Sequence, residues 1–495
     1  MSVVFAVLAL DGGAFGQRNL RDIPVADPEA ELRDFVVAEG FEVNLFAADP
    51  MLKKPIGMEF DAEGRLWVST SAIYPQIKPG QEMTDEVVVL EDVDGDGKAD
   101  KSTSFADGFL IPTGVLPGDG GVYVGNSTDM IHLSDTDGDG KADRERIVLS
   151  GFGTEDTHHI VHAMTWGPTG EMFFNQSIYI HSHIETPYGV KRLDAGGIWR
   201  FQPDSLELDV FTRGQVNPWG HVFDEWGQSF TTDGAYGEGV NYAFPGAAYV
   251  TVVGVPRILK GLSRGEPKHC GLVRVSGRHF PEEWQGNMLA NDFRANRVNR
   301  FVITESGSGY AATKQEDLLR SKRVTFRPIS VKMGPDGAVY IADWYNPIIQ
   351  HGEVDFRDER RDKAHGRIWR VSAKGRPLVK RPVIAGAPIG DLVKLLEVPE
   401  QWTRSWARVE LTRRAPKDVV PVIGDWLDGL DPQGAGFEQL RLQALWVMQG
   451  LDVYDAELLE AVLASKDGRA RAAALRSITF GYVPDGNALA LEAAV

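Results

Sequence analysis

The chain has 495 residues, and its 70 Asp and Glu outnumber its 52 Lys and Arg, which gives a formal net charge of −18. This acidic balance argues against binding to nucleic-acid phosphates or to an anionic membrane surface. The single cysteine, Cys270, excludes disulfides within the chain, cysteine zinc sites and a covalent haem of the CxxCH kind. No apolar stretch reaches the roughly 18 residues that a transmembrane helix needs.

The first forty residues divide into two segments. Residues 3–10 form a short apolar run, and small residues follow it up to Gly16. This pattern is typical of the end of a secretory signal peptide. We therefore interpret residues 1–16 as a signal-peptide remnant, residues 17–40 as an N-terminal arm, and the protein as periplasmic or otherwise exported. A buried N-terminal strand is the alternative for the apolar run.

Residues 41–372 contain a repeat in which a tight turn is followed by a strand. Its turn glycines are Gly64, Gly120, Gly170, Gly227, Gly286 and Gly337. Alternating apolar and aromatic residues between Gly and Asp turns indicate strands, and each unit has room for four. Six such units predict an all-β fold, a six-bladed β-propeller. A strand at residues 41–46 would complete the sixth blade and close the ring. An irregular β-sandwich is the alternative.

Two near-identical acidic segments occur in the first two units, DVDGDGKAD at residues 92–100 and DTDGDGKAD at residues 135–143. Carboxylates at loop positions 1, 3, 5 and 9, with glycine at position 6, match most of an EF-hand calcium loop. The glutamate of position 12 is missing, and strands flank the segments. We expect structural calcium; solvated Asp-Gly turns are the alternative. The predicted ligands are Asp92, Asp94, Asp96, Lys98 (carbonyl), Asp100, Asp135, Asp137, Asp139, Lys141 (carbonyl) and Asp143.

Histidines concentrate in the third unit. Five of the chain's 11 are His158, His159, His162, His181 and His183. In a propeller, the loop entering an inner strand and the loop leaving the second strand open on one face, so we expect all five at one mouth of the channel. Other polar residues at equivalent positions include Asn217, Arg327 and Asp343.

Three roles stay open for the histidines. One or two could serve as a general base on a substrate hydroxyl, because imidazole titrates near neutral pH. The HHxxH and HxH spacings could instead supply ligands to a transition metal. The third alternative is a polar rim that only hydrogen-bonds the backbone.

After the sixth unit the composition changes. Residues 373–389 are rich in Pro, Gly and basic side chains and read as a linker. Across residues 390–495, apolar residues recur at steps of three and four, which predicts short helices resembling HEAT-type repeats. The last predicted helix, residues 487–495, has no capping repeat, so we expect a truncated solenoid and a longer protein.

Two family resemblances rest on these motifs. The segment HHIVHAMTWGPTGEMFFNQ at residues 158–176 is similar to a signature of soluble glucose/sorbosone dehydrogenases. The segment EGFEVNLFAADPMLKKPIGMEFDAEGRLWV at residues 39–68, the two acidic loops and the helical tail resemble a larger family. Its members, from planctomycetes and verrucomicrobia, are described as membrane-bound dehydrogenases and usually continue into a CxxCH cytochrome c domain.

The first resemblance implies a propeller that uses pyrroloquinoline quinone (PQQ) and a histidine base. It assigns the base to His159. His158 and His162, from the histidine cluster itself, are further catalytic candidates. It also matches Asn217 to a position that faces the cofactor, although Val216 stands where the family has an arginine. The further candidates for cofactor binding, taken from the expected channel mouth, are His181, His183, Arg327 and Asp343.

These observations predict an exported oxidoreductase acting on a sugar or a sugar-derived alcohol or aldehyde. The expected cofactors are calcium and PQQ, with no haem in this chain. A cytochrome c domain or protein would accept the electrons, and neither nucleic acid nor a transmembrane segment is expected. Two other classes stay open, a metal-dependent lactonase-like hydrolase and a non-catalytic scaffold that binds polysaccharide or protein.

Overall fold

The computed structural model describes residues 20–234, 239–254, 259–263, 268–349 and 354–481. The predicted signal-peptide remnant and the helix expected at residues 487–495 lie outside these ranges. Within them the chain forms a six-bladed β-propeller followed by a helical region, as the repeat predicts. No helix in the described part of the chain is both long and apolar enough to cross a membrane.

Blades 1 to 3 are antiparallel sheets whose first strand lies innermost. The strands of blade 1 are Pro55–Phe60, Leu66–Thr70, Asp85–Glu91 and Lys101–Phe109. Blade 2 contains Pro112–Gly118, Gly121–Asn126, Asp129–Ser134 and Arg144–Ser150. Blade 3 contains His162–Trp166, Met172–Gln176, Gly196–Gln202, Glu207–Gln215 and, parallel at its edge, Ala247–Ala248. An extra hairpin, His181–Thr186 with Gly189–Asp194, is inserted between its second and third strands.

Blades 4 to 6 depart more from the four-strand pattern. Blade 4 has three strands in the described residues, Pro218–Phe223, Ser229–Asp233 and Gly239–Ala243. Blade 5 contains His269–Arg274, Met288–Asp292, Arg297–Ser306, Gly309–Lys314, Leu319–Ser321 and the arm strand Phe35–Val37, with a 3₁₀ turn at Glu282–Trp284. Blade 6 contains Pro328–Met333, Val339–Asp343, Arg367–Ala373 and Phe41–Ala48.

The ring closes as predicted. Phe41–Ala48 pairs antiparallel with Arg367–Ala373 as the outermost strand of blade 6. The innermost strand of every blade contacts the innermost strands of both neighbouring blades, so six strands surround the axis. Closure with the N-terminal strand leaves no free edge at the junction. We call the face with the loops after the second strands the upper face, and the face with the glycine turns the lower face.

The glycine turns confirm the repeat at the level of backbone geometry. All six turn glycines have positive φ, from 70° at Gly227 to 90° at Gly170. Glycine suits this left-handed conformation because it has no Cβ to clash with the backbone. Each turn reverses the chain between the first and second strands, and thereby sets the lower face of the propeller.

The helical region packs against that lower face. Apolar residues at steps of three and four give its helices a buried side, and Asp455 and Asp467 cap two helices through their carboxylates. The helices are Ile389–Leu395, Gln401–Thr412, Pro416–Asp428, Phe437–Gly450, Ala456–Leu463 and Gly468–Thr479, and the arm contributes Pro28–Asp34. One hydrophobic cluster joins Met58 and Trp226 of the blades to Trp406 and Trp446 of the helices.

Candidate functional site

A cavity that is partly open to solvent lies at the upper mouth of the propeller channel, and we call it the upper cavity. Aromatic side chains provide much of its wall, and a few polar groups converge on it, as in ligand pockets generally. Its lining residues are Ile56, Tyr74, Thr113, Thr157, His158, His159, Asn217, Trp219, Gly234, Lys268, Phe293, Ile329, Trp344 and Ile349.

His159 is the polar residue of the upper cavity whose side chain is least satisfied by the protein. It lies just before the inner strand of blade 3 and is 4% exposed. Its buried Nδ1 has no hydrogen-bond partner among the described residues, and the residue lines the cavity. Burial, together with nearby His162, holds the pKa of His159 well below its usual value. The imidazole is therefore neutral at physiological pH and able to accept a proton.

His158 points its ring toward a carboxylate. Its Nδ1 lies 2.8 Å from Oδ1 of Asp156, and the backbone N–H of His158 donates to the same oxygen at 3.0 Å. Burial alone would raise the pKa of Asp156, but the hydrogen bond from His158 holds it below its usual range. Asp156 therefore stays ionised and orients the His158 ring.

His162 is tied to the backbone on both sides of its ring. Nδ1 lies 2.5 Å from the carbonyl oxygen of Ile160, and Nε2 lies 2.9 Å from that of Pro218. Burial lowers its pKa below the usual value. Its ring centroid is 5.6 Å from that of His159. His162 thus supports His159 and links blade 3 to blade 4, and it does not line the upper cavity.

Asn217 and Trp219 bring blade 4 to the same cavity. The backbone N–H of Asn217 donates to Asp233 at 2.9 Å, and its side-chain Oδ1 is buried without a partner among the described residues. The ring of Trp219 meets the ring of His159 edge-on, with centroids 4.9 Å apart. Blade 4 therefore contributes an open amide acceptor and an aromatic wall next to His159.

Trp344 forms part of the opposite wall and is held by a buried lysine. Nζ of Lys54 donates to the carbonyl oxygens of Trp344 at 2.6 Å and Tyr345 at 2.7 Å, and it lies 4.6 Å from the Trp344 ring centroid. Burial lowers the pKa of Lys54 to about 7. Tyr74 meets the Trp344 ring edge-on at 5.3 Å. These contacts fix a flat, apolar surface facing the cavity.

Arg327 and Asp343 lie next to the cavity in the fold but do not line it. Arg327 donates to the carbonyl oxygens of Asn346 and Phe293, both at 2.9 Å. Asp343 accepts from the backbone N–H of Arg327 at 2.8 Å and from Nε1 of Trp369 at 3.1 Å. Both side chains are fully buried, and their polar atoms are engaged in joining the loops of blades 5 and 6.

His181 and His183 lie on the inserted hairpin, away from the upper cavity. The side chain of His181 is 62% exposed and faces Glu155 at 3.3 Å. Nδ1 of His183 accepts from Nε of Arg192 at 3.1 Å. Convergence of all five histidines was expected, but the hairpin between the second and third strands carries these two outward. The structure brings together His158, His159 and Asn217, with His162 behind them.

The two acidic loops have the same internal geometry. Carboxylate oxygens of Asp92, Asp94 and Asp100 all lie within 4.8 Å of one another, and the corresponding residues of the second loop, Asp135, Asp137 and Asp143, do the same. In the first loop, Asp92 accepts from the N–H groups of Gly95 and Gly97. Both loops join outer strands on the lower side of their blades, so they are remote from the upper cavity.

Several residues of the cavity wall were not predicted from the sequence. Trp219 stands two residues after Asn217, in the segment Asn-Pro-Trp-Gly at residues 217–220, and Asp156 stands two residues before His158. Those neighbours could have been found from spacing. Tyr74, Lys268 and Trp344 reach the cavity through folding alone, because each belongs to a different loop of the ring.

The chain is thus a six-bladed propeller with a buried, neutral histidine in the wall of an aromatic cavity at its upper mouth. The chain belongs to the family described as a domain of unknown function, DUF7133, whose model matches residues 27–257 and 265–375. A search of curated proteins finds no match to the chain.

Among solved structures, the chain is similar to an oxidoreductase from Thermus thermophilus described as a glucose dehydrogenase, at 17% identity and a TM-score of 0.46, covering 67% of this chain and 100% of that one. It is similar to the PQQ domain of a pyranose dehydrogenase from Coprinopsis cinerea, at 12% identity and a TM-score of 0.44, covering 68% and 97%. A PQQ-bound aldose sugar dehydrogenase from Streptomyces coelicolor matches at 15% identity and a TM-score of 0.42, covering 68% and 99%. The function of the chain is therefore to be inferred from its own residues.

Proposed function

We propose that the chain is an oxidoreductase that binds a sugar or a sugar-derived alcohol or aldehyde in the upper cavity, with His159 as the general base. The observation that carries this proposal is the state of His159: a buried, neutral imidazole in the wall of a cavity that is largely aromatic. A general base must be unprotonated at working pH and must reach the proton it removes. His159 satisfies the first condition through burial and the second through its position in the wall.

The surrounding residues support a hydroxyl-bearing ligand. Asn217 offers an unpartnered amide oxygen, and Thr113 and Thr157 add hydroxyl groups to the same wall. Flat apolar surfaces at Trp219 and Trp344 suit the C–H faces of a sugar ring or a planar cofactor. The neighbouring pair of His158 and Asp156 would accept the proton that His159 removes. In this arrangement His159 takes the proton from the hydroxyl oxygen, the carbon that bears this oxygen gives up a hydride, and a C=O bond forms.

The hydride needs an acceptor, and the described residues fit the ring of PQQ. A planar heterocycle requires flat walls, which Trp219, Trp344 and Tyr74 provide. Its carboxylates require cations, and Lys268 lines the cavity. When bound, PQQ would supply an ortho-quinone that accepts a hydride. Trp219, Trp344, Tyr74 and Lys268 would hold it.

Calcium, the electron acceptor and the location complete the proposal. The two acidic loops would hold structural calcium on the side of the ring away from the upper cavity. Electrons would leave to a cytochrome c domain or protein, as in the planctomycete and verrucomicrobial family that the sequence resembles. The protein would work outside the cytoplasm, where free calcium is plentiful.

The test combines binding with activity. Purified protein is titrated with PQQ in calcium buffer and followed by calorimetry and by the quinone absorbance, and then assayed for dye reduction with a panel of aldoses and sugar alcohols. We expect His159→Ala to lower kcat by about a hundredfold or more, the usual contribution of a general base, while PQQ binding persists.

The matched control is His183→Ala, a histidine of the same blade that lies outside the cavity. It should retain both PQQ binding and dye reduction. Folding of each variant is checked by its melting temperature. Unchanged activity in folded His159→Ala would refute the base, and a wild-type protein that binds no PQQ would refute the cofactor.

A further inference from the structure

A second cavity, the lower chamber, lies between the lower mouth of the channel and the helical region and is partly open to solvent. The lower ends of inner strands and the glycine turns form its roof. Helices Gln401–Thr412 and Phe437–Gly450 form its floor. His221 and Lys332 line both the lower chamber and the narrow channel above it. Among the described residues, none lines both the lower chamber and the upper cavity.

The floor of the lower chamber is held in place by specific hydrogen bonds to the propeller. The backbone N–H of Gln401 donates to Oγ of Ser276 at 3.1 Å, and its side-chain Nε2 donates to the carbonyl oxygen of Phe223 at 2.7 Å. Nε1 of Trp406 donates to the carbonyl oxygen of Phe60 at 3.1 Å. The chamber is therefore a preformed space, and its side chains are held in place before any ligand binds.

Two of the cations in the lower chamber are already paired. Nζ of Lys332 lies 2.5 Å from a carboxylate oxygen of Glu59. The guanidinium of Arg274 contacts the carboxylate of Glu225. Within each pair the positive and the negative charge neutralise each other. Neither pair therefore offers a net charge to a ligand.

Two arginines on the floor helix are not paired. Arg404 and Arg408 stand one helical turn apart, and within the described residues no carboxylate lies within 4.0 Å of either guanidinium. Arg404 donates to the carbonyl oxygen of Val398 at 2.6 Å, and Arg408 donates to Oε1 of Gln443 at 2.5 Å. Their hydrogen bonds therefore go to neutral acceptors.

The pKa values of Arg404 and Arg408 are both lowered, as expected for buried cations that lack a close carboxylate. Burial lowers the pKa of Arg404 to about 10, and burial with the charge of Arg404 lowers the pKa of Arg408 to about 9. Three acids favour the charged arginines from a distance, and each has another partner: Glu225 contacts Arg274, Glu400 pairs with Arg278, and Glu171 accepts from Thr169. Two buried cations that lack an ion-pair partner are costly to maintain, and a bound anion would offset that cost.

The rest of the wall indicates what kind of anion would fit. Four tryptophans line the lower chamber: Trp166, Trp402, Trp406 and Trp446. The guanidinium of Arg408 lies 5.4 Å from the ring centroid of Trp446, and the buried Nε1 of Trp402 has no acceptor among the described residues. Two guanidinium forks suit a carboxylate or a phosphate, and the indole faces suit a ring-shaped body.

We propose that the lower chamber binds a sugar-sized organic anion, whose carboxylate or phosphate accepts hydrogen bonds from Arg404 and Arg408 and whose body packs on the surrounding tryptophans. This site is separate from the upper cavity and does not rest on the proposed function. Its position beneath the channel allows a ligand to bind to the propeller and the helical region at once.

The test is isothermal titration of the full chain with gluconate, glucose 6-phosphate, inorganic phosphate and neutral glucose. We expect at least one sugar anion to bind and glucose not to bind. Gluconate binding would identify a carboxylate ligand, and glucose 6-phosphate binding a phosphate ligand. Arg408→Gln should weaken the binding about tenfold or more, since it removes charge-assisted hydrogen bonds.

Two controls keep the proposal falsifiable. Arg414→Gln removes an arginine of the same region outside the chamber and should not change the affinity, and His159→Ala should not change it either. If Arg408→Gln fails to fold, Arg408→Lys is tested instead. It keeps the positive charge but loses the paired N–H donors of the guanidinium, so it should weaken the binding. The proposal is refuted if no probe binds the wild type, if glucose binds as tightly as the anions, or if a folded Arg408 variant retains full affinity.

Discussion

Residues around the upper cavity differ in how far the protein satisfies their polar atoms. His162 and Asp343 have hydrogen-bond partners on every side, so each one holds loops together. His159 and Asn217 each have one buried polar atom without a partner among the described residues. Leaving such an atom unpaired costs about 1–3 kcal/mol, and a substrate or ordered water would supply the missing bond. His159 and Asn217 are therefore cavity-wall residues whose polar atoms the protein does not fully satisfy.

His221 offers a stability test of a buried imidazole. Burial, with the charge of Lys332, lowers its pKa to about 3, from an ordinary 6.5. Below pH 6.5 the unfolded state binds a proton that the folded state does not, so its contribution to stability is lost as pH falls toward 3. At pH 5.5 this loss is about 1.4 kcal/mol relative to pH 7 and above.

The measurement compares chemical denaturation at pH 7.5 and pH 5.5 for the wild type and His221→Gln. The variant should lose less stability between the two pH values, by about that amount. His183→Gln, which changes an exposed histidine, serves as the control and should behave as the wild type. An equal loss in wild type and His221→Gln would show that His221 is protonated in the folded state.

The candidate base was predictable from the sequence, but the partners of its cavity were only partly so. The five-histidine cluster and the GPTG turn directed attention to His159. Spacing could not separate Arg327 from Asn217, because both stand just before an inner strand of the repeat. Which of the two faces the cavity depends on whether neighbouring loops supply carbonyl oxygens, as they do for Arg327. That information lies in the tertiary fold.

At the scale of the element, four of the six inner strands share a Pro-x-Gly start. It occurs at Pro55–Gly57, Pro112–Gly114 and Pro218–Gly220, and Pro328–Ser330 is a close variant. In each case the pairing with the second strand shifts at this point. The small residue lets the strands approach the channel axis closely. The motif is present in four of the six blades and absent from blades 3 and 5, whose inner strands begin at His162 and His269. Asn217 and Trp219 distinguish the copy in blade 4 from the other three.

The glycine turns allow a paired substitution test. Gly227 and Gly120 have similar φ, 70° and 75°, but a Cβ on Gly227 would lie 2.9 Å from Trp446 whereas nothing lies within 4 Å of one on Gly120. Gly120→Ala should cost only the strain of a left-handed residue, roughly 1–2 kcal/mol. Gly227→Ala should cost clearly more, because a buried tryptophan must also move. Urea denaturation measures both, and equal losses would contradict a close contact between turn and helix.

Each acidic loop is attached to the blade before it. The N–H of Ala99 donates to the carbonyl oxygen of Phe46 at 2.8 Å, and the N–H of Ala142 donates to that of Phe105 at 2.8 Å. Nδ2 of Asn44 also donates to the carbonyl oxygen of Gly97 at 2.7 Å. The first loop therefore joins blade 1 to the closing strand of blade 6, and the second joins blade 2 to blade 1. Ordering of these loops would hold neighbouring blades together.

A chelator titration tests the expected calcium. If calcium binds, excess EDTA should lower the melting temperature, since a ligand at a hundred times its Kd stabilises by about 2.7 kcal/mol per site. Asp94→Asn keeps an acceptor for the N–H of Asp96 but removes a charge, so it should reduce the effect of EDTA by roughly half, one of two sites. Asp107→Asn, on an adjacent strand, is the control. An EDTA-insensitive wild type would contradict structural calcium.

At the scale of the whole molecule, the architecture follows from the sequence more directly than the site does. The repeat predicted the six blades, their turn glycines and closure by the strand at residues 41–46, because each blade repeats one local pattern. It did not predict the inserted hairpin or the packing of the helices against the lower face. Both depend on contacts between distant segments, such as Arg278 with Glu400 at 2.8 Å, which leave no periodic signal.

The shared hydrophobic cluster predicts that propeller and helices unfold together. Trp406 is 5% exposed and its indole donates to blade 1, so Trp406→Ala should cost about 3–5 kcal/mol and lower one common transition. Trp426, which contacts Glu397 within the helical region, is the control, and its replacement by Ala should have a smaller effect. Differential scanning calorimetry that resolves two independent transitions would contradict this coupling.

The closing strand also has a consequence for synthesis. Asn44 and Arg370 are hydrogen-bonded across blade 6 although 326 residues separate them. On a ribosome that adds roughly 5–20 residues per second, Phe41–Ala48 waits for its partner strand for tens of seconds. Throughout that time its edge is open to pairing with other nascent chains. Chaperone binding to the early blades during translation would therefore matter more for this protein than its final stability suggests.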